Sequence, residues 1–70
     1  MIFKCEWIEG FHNNPKPKNV SIKELKQEEW NLDAYLGDDW IAQFIDKNIG
    51  ETLDVFGPCG VSHTRFTRIK

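Results

Sequence analysis

The sequence has no apolar run approaching the roughly 20 residues that a membrane-spanning helix needs, so no transmembrane segment is expected. Its opening residues, Met1-Ile2-Phe3-Lys4-Cys5-Glu6-Trp7, place charges where a secretion signal keeps its apolar centre. The chain therefore reads as a complete small cytoplasmic protein, and Asn19-Val20-Ser21 as an accidental glycosylation tripeptide. No Gly-rich phosphate loop occurs, which removes the common nucleotide-binding designs. Cysteine is scarce: Cys5 and Cys59 sit near opposite ends, and both read as reduced thiols rather than as a disulfide framework. One more absence is local. Between Lys26 and Lys47 there is not a single basic residue.

What is present fits one folded domain spanning residues 1–70. The apolar fraction of 40% and charged fraction of 29% are those of a folded globule, and the net charge of −2 offers no long-range attraction to nucleic acid or anionic lipid. Three Trp, five Phe and one Tyr are more aromatic surface than so short a chain needs for its core, which leaves some for a partner.

Along the chain, residues 2–8 alternate: Phe3, Cys5 and Trp7 on one side, Lys4 and Glu6 on the other, as in a half-buried strand. Residues 10–19 hold two prolines and three asparagines, and no regular element is expected there. Ser21-Ile22-Lys23-Glu24 is a capping box that should start a helix. Ile22, Leu25, Leu32 and Leu36 continue one helical stripe that Glu29 interrupts, so a break near Trp30-Asn31 is expected. Gly37 should stop the segment, and Asp38 or Asp39 should cap a further helix over residues 39–49, with Trp40, Ile41, Phe44, Ile45 and Ile49 on its buried face. Residues 51–56 and 61–69 alternate again and flank the turn Gly57-Pro58-Cys59-Gly60, which predicts a hairpin. The expected fold class is α+β: a small three-stranded antiparallel sheet, in the chain order β-α-α-β-β, with the helices packed on one face.

Four constellations carry possible chemistry. Cys5, His12, Cys59 and His63 are zinc-ligand types, but they lack the paired knuckle spacing of small zinc domains, and no metal or cofactor is expected. Cys59 with His63 lacks a third group to orient the histidine, so a thiol enzyme is not expected either. On the last strand Phe66, Arg68 and Lys70 share one side, a miniature of a stacking-plus-cation surface for single-stranded nucleic acid. The fourth set is the base-free stretch, where Glu28, Glu29, Asp33, Asp38 and Asp39 are interleaved with Trp30, Tyr35 and Trp40. Acids steer association toward basic surfaces, and Trp and Tyr are favoured anchors. The expected partner-binding set is therefore Glu28, Glu29, Trp30, Asp33, Tyr35, Asp38 and Asp39.

The sequence-based expectation is a non-enzymatic interaction protein that binds and inhibits a larger protein, of the anti-defence, immunity or antitoxin type carried by phages and mobile elements. A nuclease or another nucleic-acid-binding machine is the expected class of partner, met by acids that occupy its basic groove. No membrane and no direct nucleic acid are expected among its partners, and a homodimer is an option. The alternative is a nucleic-acid-binding or regulatory accessory module that uses the basic C-terminal strand.

Overall fold

Alternation in the first strand organises the molecule. The computed structural model of the chain describes residues 1–10, 15–27, 32–57, 60 and 62–70. Strand β1 (Ile2–Glu9) buries Phe3 and Cys5 and turns Lys4 outward. It is flanked by β2 (Lys18–Ser21) and β4 (His63–Arg68), and β4 in turn pairs with β3 (Thr52–Phe56). The result is a four-stranded sheet in the order β2-β1-β4-β3, with every neighbouring pair antiparallel. Among the described residues, three short helices lie between β2 and β3 in the chain: α1 (Ile22–Gln27), α2 (Leu32–Leu36) and α3 (Trp40–Ile45).

This corrects the expected three-stranded β-α-α-β-β sheet: among the described residues the order along the chain is β-β-α-α-α-β-β, with four strands in the sheet. The missed strand is β2. It is four residues long, and Val20 is its one buried residue, so no alternating pattern marks it. Its structure comes from pairing, Phe3 opposite Val20 and Cys5 opposite Lys18, rather than from its own composition. The expected helix break near Trp30-Asn31 lies outside the described residues.

The capping box is formed. Ser21 Oγ accepts from the Glu24 amide at 3.1 Å, and Glu24 Oε1 accepts from the Ser21 amide at 3.4 Å. That places α1 directly against the end of β2. Helix α3 is shorter than the expected 39–49. Phe44 is fully buried, but Ile45 and Ile49 are 52% and 67% exposed, so the inward face ends at Phe44. Asp39 stands at the N-cap of α3 but makes no side-chain capping bond. Beyond the helix the chain turns through Gly50, whose φ of +93° strains any other residue, and Glu51 N donates to Asn48 O at 2.9 Å.

One core joins the layers. Phe44 meets Phe3 and Phe66 edge-on, with ring centroids 5.0 and 5.1 Å apart, and Trp40 packs edge-on to Phe44 at 5.8 Å. Val20, Leu25, Leu32 and Val55 complete the buried cluster. Arg68 lies at the margin of this covered face and donates Nη1 to the Lys47 carbonyl at 2.7 Å, tying the end of the helical layer to β4. No helix among the described residues is long and apolar enough to cross a membrane.

Candidate protein-docking surface

Helix α2 is five residues long, and its ends, Leu32 and Leu36, are one turn apart and face the core. The residues between them, Asp33, Ala34 and Tyr35, are left on the outside, with Tyr35 42% exposed. Gly37 then reverses the chain at φ +93°, its amide closing on Asp33 O at 3.0 Å. Asp38 and Asp39 follow at an exposed corner. Gln43 fixes that corner: its Nε2 donates to Leu36 O at 2.7 Å and to Asp39 Oδ1 at 3.1 Å, clamping the end of α2 to the start of α3. The acids are thus presented from a braced turn.

Of the expected partner-binding residues, Asp33, Tyr35, Asp38 and Asp39 are all exposed on this surface. Glu28, Glu29 and Trp30 lie outside the described residues. Trp40, which was grouped with them as an aromatic, is half-buried against Phe44. Sequence reasoning passed over Asp46, which is exposed at the end of α3. It lies seven residues from Asp39, and two helical turns return it to the same side. The signal was available, because Asp46 belongs to the same base-free stretch. Among the described residues none of Asp33, Asp38, Asp39 and Asp46 forms an ion pair.

The opposite face of the sheet carries a different set. Glu6, Arg65 and Asp54 form one cross-strand row, and Lys4, Thr67 and Thr52 the next. Asp54 Oδ1 lies 2.7 Å from His63 Nε2 and accepts from Arg65 Nε at 2.9 Å. A carboxylate can only accept, so His63 Nε2 carries the proton of that bond. Asp54 is thus a group that orients the histidine, which corrects the expectation that none is present; Cys59 lies outside the described residues. The hydrogen bond from His63, and then that from Arg65, hold the Asp54 carboxyl below its ordinary pKa. Phe56, 57% exposed, stacks on His63 with centroids 4.5 Å apart.

This arrangement corrects the basic-strand surface. Phe66 is 1% exposed and faces the helices, so it offers no stacking face to a nucleic acid, and Arg68 on the same side is engaged with Lys47. It also separates two of the zinc-ligand types. Cys5 pairs with Phe66 on the covered face, whereas His63 lies on the open one, so one ion cannot bind both. His12 and Cys59 are outside the described residues, and among those described no three metal-ligating side chains gather.

No protein-family model, no curated protein and no solved structure matches this chain. The functional reading rests on its own residues.

Proposed function

We propose that this chain is a non-enzymatic, cytoplasmic binding protein that docks its acidic helical surface on a basic surface of a larger protein and inhibits it. The observation that carries this reading is the surface from Leu32 to Asp46. It exposes Asp33, Asp38, Asp39 and Asp46 beside Tyr35, with no Lys, Arg or His in the stretch to neutralise them. Unneutralised acids raise the rate of encounter with a positive partner, and a tyrosine supplies a rigid, amphipathic anchor. A nuclease or other nucleic-acid-binding machine is the class of target this fits, because its substrate groove must be basic. On this reading the chain is an inhibitor, immunity protein or antitoxin of the kind that phages and mobile elements carry.

The test compares tagged wild type with Asp33→Lys/Asp38→Lys as baits in the native host, followed by mass spectrometry and binding kinetics on the captured protein. The expected outcome is a stoichiometric large protein on the wild type, with slower association and weaker binding for the reversed variant. Equal association rate and affinity for both baits would end the proposal, and co-purifying RNA or DNA in place of a protein would favour the nucleic-acid alternative.

A further inference from the structure

The two edges of the sheet are finished differently. At the β2 edge the outward amide of Ser21 is already held by Glu24, and the approach to the strand carries Pro15, Lys16, Pro17 and Lys18, the residues that discourage strand addition. Among the described residues the β3 edge has no such guard. Arg68 N donates to Glu51 O at 3.0 Å and Gly57 N donates to Ser62 O at 2.8 Å, so the odd-numbered residues 51, 53, 55 and 57 turn their backbone groups toward β4. The amides and carbonyls of Thr52, Asp54 and Phe56 therefore point away from the sheet, and among the described residues none of them has a partner. No proline and no lysine lies within Thr52–Phe56.

We infer that an extended basic segment of the partner adds to β3 as a fifth strand; this rests on the acidic-docking reading above and names the element of the partner that it meets. Charge selects the occupant. Exposed Glu51 adjoins the edge, and α2, the helix that packs against β3, exposes Asp33 and has no base. An added strand that alternates lysine or arginine with apolar residues would satisfy the outward backbone groups and complement these acids. On the open face Phe56, backed by His63, offers a ring for its apolar or aliphatic positions. A second copy of this chain fits less well. Symmetric pairing centred on Asp54 sets two carboxylates opposite one another, and any symmetric pairing of β3 brings two acidic α2 helices together.

The experiment uses the whole isotopically labelled chain and, as probe, a synthetic octapeptide alternating lysine and valine, with a glutamate–valine octapeptide as control. The amides of Thr52, Asp54 and Phe56 should shift with the lysine peptide and exchange with solvent about tenfold more slowly, and should not respond to the glutamate peptide. Thr52→Pro removes an outward amide that no strand of this sheet uses, so the variant should fold and bind the peptide more weakly. Unchanged exchange at these three amides, or equal peptide binding by Thr52→Pro, would overturn the inference. Protection that grows with protein concentration in the absence of peptide would overturn it in favour of a second copy. Once a partner is in hand the two readings separate. If Asp33→Lys/Asp38→Lys loses the partner and Thr52→Pro keeps it, docking stands and strand addition falls; if Thr52→Pro loses it and the reversed variant keeps it, acidic docking falls.

Discussion

The two faces of the sheet are built from alternate residues of the same strands, yet they obey different physics. On the covered face Phe3, Cys5 and Phe66 meet Phe44 with almost no water left, and each ring has another ring edge-on to it. On the open face Glu6, Arg65 and Asp54 alternate in sign across three strands, and Phe56 stays largely exposed. Covered positions gain by removing apolar area from water, about 25 cal/mol per Å². Open positions exchange one set of solvated contacts for another and contribute little. Stability should therefore reside on one side of the sheet, leaving the other side and its β3 edge available for binding.

The comparison is tested most severely at Phe44, which joins three aromatic neighbours. Phe44→Ala should cost about 3–5 kcal/mol, close to the whole stability of a domain this size, and leave the chain largely unfolded by circular dichroism. A heat-stable, folded Phe44→Ala would show that the core lies elsewhere. The next largest effect is expected at the margin of the covered face. Arg68→Met keeps most of the aliphatic stem but takes the donor from the Lys47 carbonyl, and should cost about 1–3 kcal/mol in denaturant unfolding. A neutral Arg68→Met would mean that the covered face ends at Phe66.

Much of this division was legible in the residues. The two-residue period of β1, β3 and β4 correctly paired Phe3 with Cys5 and Leu53 with Val55, and the Ser21–Glu24 cap located α1. Period alone, however, says that a strand has two faces and not which one is covered. That is why Phe66 and Arg68 share a face as expected but do not form a solvent-facing surface: Phe66 is core and Arg68 is a tie between layers. Strand β2 was illegible for another reason: its hydrogen bonds come from β1, and nothing in Lys18–Ser21 marks a strand by itself. Helix α3 was legible in type but not in extent. Ile45 and Ile49 continue the apolar spacing of Ile41 and Phe44 yet find no core to enter, because the chain turns at Asn48–Glu51 toward β3. Asp33, Asp38 and Asp39 could be read as exposed acids from the sequence, whereas the Gln43 clamp that braces them depends on a seven-residue reach to Leu36 that no local pattern reveals.

On the open face the effects should be smaller and should depend on pH. The Asp54 carboxyl sits below its ordinary pKa because His63 and Arg65 hydrogen-bond its charged form. Such a group contributes stability that is complete above the unfolded value, about pH 3.9, and is lost as pH falls through the lower folded value. Melting temperatures of wild type and Asp54→Asn should therefore differ near neutrality and converge in strong acid. Because the carboxylate is one-third exposed, the separation should be modest. A gap that widens in acid would reverse the assigned sign and sink this account of the row.

The smallest effect is expected at Phe56, and it is the most informative about function. Its ring is 57% exposed and its principal contact is the stack on His63. Truncation should remove that contact and little else, so Phe56→Ala should change the unfolding free energy by less than about 1 kcal/mol. The contrast with Phe44→Ala follows from position alone, since both changes delete the same ring. The open-face reading adds that the loss should be independent of protein concentration, because on this reading no second copy of the chain covers the ring that is left 57% exposed. Unfolding curves recorded over a wide range of concentration settle the point. If Phe56→Ala costs as much as Phe44→Ala, and the wild type gains stability with concentration, then Phe56 is covered by another copy, and the distinction between a structural and a binding face fails at this residue.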